Sequence, residues 1–249
     1  RVEYSDNALY VFLRVPRRTK HGEIYSSPLL LILQKGTFFT LAYGDSFKPE
    51  VVIGENTVSL DTSPVSLALA TFAAVVSSYE SVLFRTSRAV RDVGNRLRTH
   101  EVKNRDIVRF VILEDNFNEC GTNLDGMMVL ARHLQDNRRN IFSDADLEMI
   151  EDIILHIQQL STSLVSQRQS VMSIRNAYTT IANNSMNQRI NTLTILTALI
   201  ALPNVFYGMY GMNVALPFAV RTWAYAAIVI FTIVLVIIVF LVAKRFKIF

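Results

Sequence analysis

Histidine, cysteine and the small motifs of enzyme chemistry are scarce in this sequence. There is one cysteine, Cys120, in 249 residues, so no internal disulfide can form and a reducing compartment is allowed. The four histidines, His21, His100, His133 and His156, stand far apart, with no pair at helical i, i+4 spacing. A zinc site needs clustered ligands, and none is offered. No phosphate-binding glycine loop, Ser-His-Asp order or catalytic cysteine context occurs, which argues against an enzyme and predicts no catalytic cofactor. The acidic stretch SDADLEMIED at 143–152 lacks the glycine and ligand spacing of a calcium loop. It reads instead as a helix start, with Ser143 and Asp146 placed for a capping box and an acidic first turn.

Glycine and proline are also few, 9 and 6 respectively, and charge is missing from two long runs. Leu193–Tyr210 and Trp223–Ala243 contain no ionisable acid or base of the Asp, Glu, Lys or Arg type. Each has about the 20 residues that cross a hydrocarbon core of about 30 Å. The second run is apolar all round, unlike a surface helix. Basic residues flank the pair on one side: Arg168, Arg175 and Arg189 before it, and Lys244, Arg245 and Lys247 after it. The positive-inside rule then puts both termini in the cytoplasm and the short loop outside, with Trp223 and Tyr225 as interface anchors. The expectation is an integral protein of the inner or plasma membrane, in contact with lipid. The arginines at 85, 88, 91, 96 and 98 are a solvated or lipid-facing surface of such a protein rather than a nucleic-acid footprint.

The remainder is α+β. Residues 1–42 alternate as strands, with KGT at 35–37 as a hairpin turn. The chain opens inside a strand with Arg1, and the sheet is expected to be the remaining part of a larger one. No signal peptide is visible. Residues 48–64 read as a loop with a short element inside. From Ser63, a capping residue followed by Pro64, the apolar positions 65, 69, 72, 76, 79, 83 and 90 follow a helical period. A second helix spans about 104–136. From Ser143 no glycine or proline occurs before Pro203, so a third helix of about 60 residues, roughly 90 Å long, should run from the cytosol into the membrane. The predicted organisation is 1–62 sheet domain, 63–140 helical pair, 141–192 stalk helix, 193–212 first span, 213–221 outer loop, 222–243 second span and 244–249 basic tail.

One seam of the long helix is unusual. Asn204, Ala201, Thr197, Thr194, Ile190, Asn187, Asn183 and Asn176 recur at spacings of three, four and seven, and so share a face. Two readings stand. A single buried Asn commonly fixes the register of associating helices. A repeated Asn and Thr row instead suits a water-filled path, since polar groups at membrane depth need a partner or an aqueous cavity. One span cannot enclose a pore, so the second reading needs several copies in a ring. At the end of this helix comes YGMN, residues 210–213. Gly211 permits tight approach and unusual dihedral angles. A ring of Asn213 amides could hydrogen-bond the water shell of Mg²⁺, which dehydrates reluctantly.

With its two C-terminal spans and basic tail, YGMN resembles the CorA family of divalent-cation transporters, as do TILTALIALPNVFYG before it and the long capped helix. The resemblance covers nearly the whole chain. It implies a funnel-shaped homopentamer with a cytosolic α/β domain, continuing into a two-span transmembrane hairpin whose first spans line the pore. It implies that Gly211, Met212 and Asn213 form the outer selectivity ring and Asn204 a second polar ring. Ala201, Leu193 and Ile190 take pore-lining or gate positions, and Asn187 and Asn176 inner pore positions, with Thr197 and Asn183 on the same seam. The transported ion would be Mg²⁺, with Co²⁺ or Ni²⁺ as further cargo. A Zn²⁺ transporter of the same fold and a non-transporting membrane scaffold are the alternatives. The sequence departs from the family where some relatives have an aspartate, at Asn176. It departs again in the outer loop VALPFAVR, which has no acid. Asp152 matches the acid of a regulatory Mg²⁺ site, but its expected partner region offers Arg17, Arg18 and Lys20, so the residues themselves favour a solvated carboxylate.

Overall fold

The structure is a computed structural model, and it describes residues 2–5, 8–44, 63–98, 104–212 and 221–245. The expected element within 48–62, His100, Asn213, most of the outer loop and the end of the basic tail lie outside the described residues. The chain divides into two compact units, 1–176 and 177–249.

In the first unit, four strands form an antiparallel meander in chain order: β1 (Val2–Ser5), β2 (Ala8–Arg18), β3 (Ile24–Gln34) and β4 (Thr37–Ala42). The expected turn after β3 is made by Lys35 and Gly36, both at positive φ, 48° and 76°. Positive φ at both central residues is the twist-matched geometry for a two-residue hairpin. Alternation decides which side is core. Val11 pairs with Leu31 and Leu13 with Leu29 across the ladder, and all four are buried.

Three helices belong to this unit wholly or in part. α1 is Pro64–Arg98, α2 is Asn104–Gln135, and α3 is Asp144–Tyr210. Ser63 caps α1 as expected, its Oγ accepting from the Ser66 amide at 3.1 Å. Of the periodic positions in α1, Leu69, Phe72, Val76, Tyr79, Leu83 and Val90 are buried. Tyr79 also donates its hydroxyl to the Arg14 carbonyl at 2.9 Å, which ties helix to sheet. By length and composition α1 is a third candidate to cross a membrane, but half of its most apolar stretch is buried within the protein. Its apolarity is already used by the core. The α3 capping box forms as read: the Ser143 amide donates to Asp146 Oδ2 at 3.0 Å and the Asp146 amide to Ser143 Oγ at 3.3 Å. Ile150, Ile153, Ile157, Leu160, Leu164 and Val171 carry the buried stripe of α3.

The second unit holds the end of α3 and α4 (Ala224–Arg245). α3 does not stop at its proline. Pro203 lies inside it, where the ring removes one backbone donor and leaves the carbonyl four residues earlier without its helical partner. Within this unit Phe206 and Phe231 pack edge to face with ring centroids 5.2 Å apart. The Tyr207 and Thr232 hydroxyls meet at 3.0 Å.

Candidate ion pathway

The candidate pathway rests on what the end of α3 does not bury. Val171 is the last buried residue of the helix. Beyond it, the only partly covered residues in the apolar stretch are Ile195, Leu199, Leu202, Pro203 and Phe206. All but Pro203 follow a spacing of three and four, so they form one stripe. Phe206 and its neighbour Tyr207 contact α4. Ile195 and Asn204 stand about two and a half turns apart at roughly 3.6 residues per turn, so their side chains leave the helix on opposite sides.

The seam read from the sequence is on the other side from this stripe. Asn204, Ala201, Thr197, Thr194, Ile190, Asn187, Asn183 and Asn176 are all exposed. Beside them runs an apolar row at a seven-residue spacing, with Met186 63%, Leu193 63% and Ile200 58% exposed. A polar row and an apolar row therefore lie side by side on a part of α3 that the chain leaves uncovered.

The threonines on this part of α3 are self-satisfied as donors. Thr194 gives its hydroxyl proton to the Ile190 carbonyl at 2.9 Å and Thr197 to the Leu193 carbonyl at 2.8 Å. Thr192 does the same to Gln188 at 2.9 Å. Each hydroxyl has one proton, so what it presents outward is acceptor lone pairs. Along with the Asn carbonyl oxygens, this is a surface that accepts from water, as the hydration shell of a cation requires.

Gly211 does not use the unusual dihedral that glycine permits; among the described glycines a positive φ belongs to Gly22, Gly36 and Gly44. Its amide instead continues the helical ladder, donating to the Tyr207 carbonyl at 3.0 Å and the Gly208 carbonyl at 3.2 Å. A Cβ on Gly211 would stand 3.3 Å from the Tyr207 oxygen. The glycine therefore serves close backbone approach rather than a left-handed turn. Met212 follows, exposed at 60%, and its amide reaches the Met209 carbonyl at 3.2 Å.

Asp152 is exposed on α3. Among the described residues there is no group of three or more His, Cys, Asp or Glu side chains that could hold a metal ion. The sequence reading missed how α3 is held to α2. Arg168 Nη2 donates to the Phe117 carbonyl at 3.0 Å, and Arg175 pairs with Glu114 at 2.8 Å. The signal was present as two arginines one heptad apart, but it does not name their partner.

Comparison with solved structures places the fold. The complete structure of the CorA magnesium transporter from Methanocaldococcus jannaschii superposes with a TM-score of 0.84 at 18% identity, over 98% of this chain and 78% of that one. The soluble domain of CorA from the same organism gives 0.63 at 14% identity, covering 71% of each chain. The full-length CmaX protein gives 0.64 at 13% identity, over 96% of this chain and 76% of that one. No curated protein matches the chain by sequence. A family model described as CorA-like Mg²⁺ transporter protein matches residues 1–245. The chain thus belongs to the CorA-like Mg²⁺ transporter protein family, whose members are membrane transporters of divalent cations and not enzymes.

Proposed function

We propose that five copies of this chain surround a pore lined by the uncovered seam of α3, and that Mg²⁺ passes through it down the membrane potential. The α/β part and both termini are cytoplasmic in this reading, and the membrane is the inner or plasma membrane. The observation that carries it is the exposure of Asn204, Thr197, Ile190, Asn187 and Asn183 on the side of α3 away from its contacts with α4. A row of Asn and Thr open to lipid would be costly; the same row around water is not. Gly211, Met212 and Asn213 form the outer ring, with Asn213 amides meeting the ion's water shell. Ile190 and Leu193 form an apolar constriction that closes by dewetting. Ala201 keeps the wall thin beside Asn204, and Asn176 marks the inner mouth without a charge. Each elementary charge gains about 2.3 kcal/mol per 100 mV, so a divalent cation needs no other driving force. Asp152 is a solvated carboxylate here, so internal Mg²⁺ gates only weakly.

The experiment is Mg²⁺ flux into vesicles containing the purified protein, with Asn213→Ala alongside. Wild type should conduct, and the variant should lose most flux while keeping its assembly state. Unchanged flux in the variant would sink the role given to Asn213. Zn²⁺ outcompeting Mg²⁺ would replace the ion assignment, and no flux of any divalent cation would leave only a membrane scaffold.

A further inference from the structure

Away from the α3 seam, the first unit has a cavity of about 330 Å³ between the β2–β3 turn, α1 and α2. Basic side chains line it from all three elements: Arg18 at the end of β2 and His21 in the turn that follows, Arg96 from α1 and Arg109 from α2. We infer that this cavity is a binding site for a compact phosphate-class anion.

Three features make it a built site rather than a patch of scattered surface charge. The first is the wall. Asn116 is buried, and it holds the turn to α2 from both sides of its amide: its Nδ2 donates to the Gly22 carbonyl at 2.9 Å and its Oδ1 accepts from the Ile24 amide at 2.6 Å. The turn that follows Arg18 and carries His21 is thereby pinned to the helix that carries Arg109.

The second is room made for a guanidinium. Gly22 has φ +91°, and a Cβ there would come within 3.2 Å of Arg18 Nη2. Glycine is the residue that both adopts this φ and lets Arg18 lie against the backbone at the cavity edge.

The third is the charge balance. Asp106 is buried, and its Oδ1 is 3.1 Å from Arg96 and 3.8 Å from Arg109. It anchors two guanidiniums with one carboxylate. Asp92 also lines the cavity and is exposed. Among the described lining residues and Asp106 behind them, three arginines face two carboxylates, an excess of one positive charge. Arg109 remains exposed beyond its Asp106 contact. Guanidinium groups present forked donors that match phosphate oxygens in pairs. The volume suits a small ligand, and because the Asp92 carboxylate on the lining repels an anion, the arginines are the groups that would hold it.

The test is calorimetric titration of the full-length protein with inorganic pyrophosphate, in the absence of divalent cations. Saturable binding at one site per chain is expected, weakened at least about tenfold in the Arg18→Gln/Arg109→Gln double variant, since each charge-assisted contact is worth that much. Arg138→Gln, an exposed arginine outside the cavity, should bind as wild type and controls for general charge. ATP that displaces pyrophosphate, with adenosine inert, identifies a nucleotide phosphate chain as the source; ATP that fails to displace it identifies a free inorganic anion. Absence of pyrophosphate binding, or binding unchanged in the double variant, overturns the inference. Gly22→Ala gives an independent check, because it should weaken binding through Arg18 without removing a charge.

Discussion

Tyr207 and Thr232 join α3 to α4 through hydroxyls 3.0 Å apart. Thr232 is buried, and its one proton is already directed at the backbone carbonyls of Ile228 and Val229, at 2.9 and 3.0 Å. With that proton on its own helix, the pair is assigned with Tyr207 as donor and Thr232 as acceptor. The two partners are not equivalent. Tyr207→Phe leaves Thr232 satisfied by its own helix and should cost about 1 kcal/mol or less. Thr232→Val strands the tyrosine hydroxyl in an apolar contact and should cost more, about 1–3 kcal/mol. Thermal unfolding of the two variants in detergent checks the order, and equal losses would contradict the assigned donor.

Gly121 and Arg168 make a second dependent pair. A Cβ on Gly121 would lie 2.7 Å from Arg168 Nη2, the same atom that donates to the Phe117 carbonyl. In an isolated helix Gly→Ala gains about 1 kcal/mol. Here the guanidinium has to move and lose its bond, which offsets that gain. Gly121→Ala should thus be neutral to destabilising in the wild-type protein but stabilising alongside Arg168→Met. A double-mutant cycle by urea unfolding should give a coupling of about 0.5–3 kcal/mol.

Glu119 links α2 to the sheet and sets a pH dependence. Its carboxylate accepts from Ser26 Oγ at 2.7 Å and from Asn123 Nδ2 at 3.0 Å. These bonds, Ser26 first, hold its pKa below the ordinary value of 4.5, against the opposing effect of burial. Because the folded value is depressed, its contribution is complete above about pH 4.5 and is lost as pH falls through the folded value. Ser26→Ala should raise the Glu119 pKa and flatten the acid limb of the stability curve. Carboxyl titration by NMR, together with unfolding midpoints between neutral and acid pH, measures both.

Cys120 should be chemically silent in the folded protein. It is fully buried, and burial, with Glu119 nearby, pushes its thiol up to about 12. The thiolate is the reactive form, so its population at neutral pH is very small. A thiol reagent should modify it only at the rate of local or global opening. Rapid labelling under native conditions would mean that α2 does not pack as described.

Much of this was legible in the residues because it is local. Period-2 and 3.6-residue patterns placed the strands and helices, Ser63 and Ser143 announced their helix starts, and Lys35-Gly36 fixed the hairpin turn. The apolar runs after Leu193 and the polar seam of α3 were likewise readable as pattern. Other features needed the fold. Pattern counts do not tell that α1, apolar enough to span a membrane, is consumed by the sheet it covers. Nor do they tell that the Gly211 amide bonds back to the Tyr207 and Gly208 carbonyls, or that Arg168 meets Gly121 across two helices. The cavity around Arg18, Arg96 and Arg109 joins residues from Arg18 to Asn116, far apart in the chain. Sequence by itself determined which faces are apolar, polar or small, since those depend on side-chain order along one element. Only tertiary structure decided which of those faces is covered and which is left open, because burial is a property of two surfaces meeting.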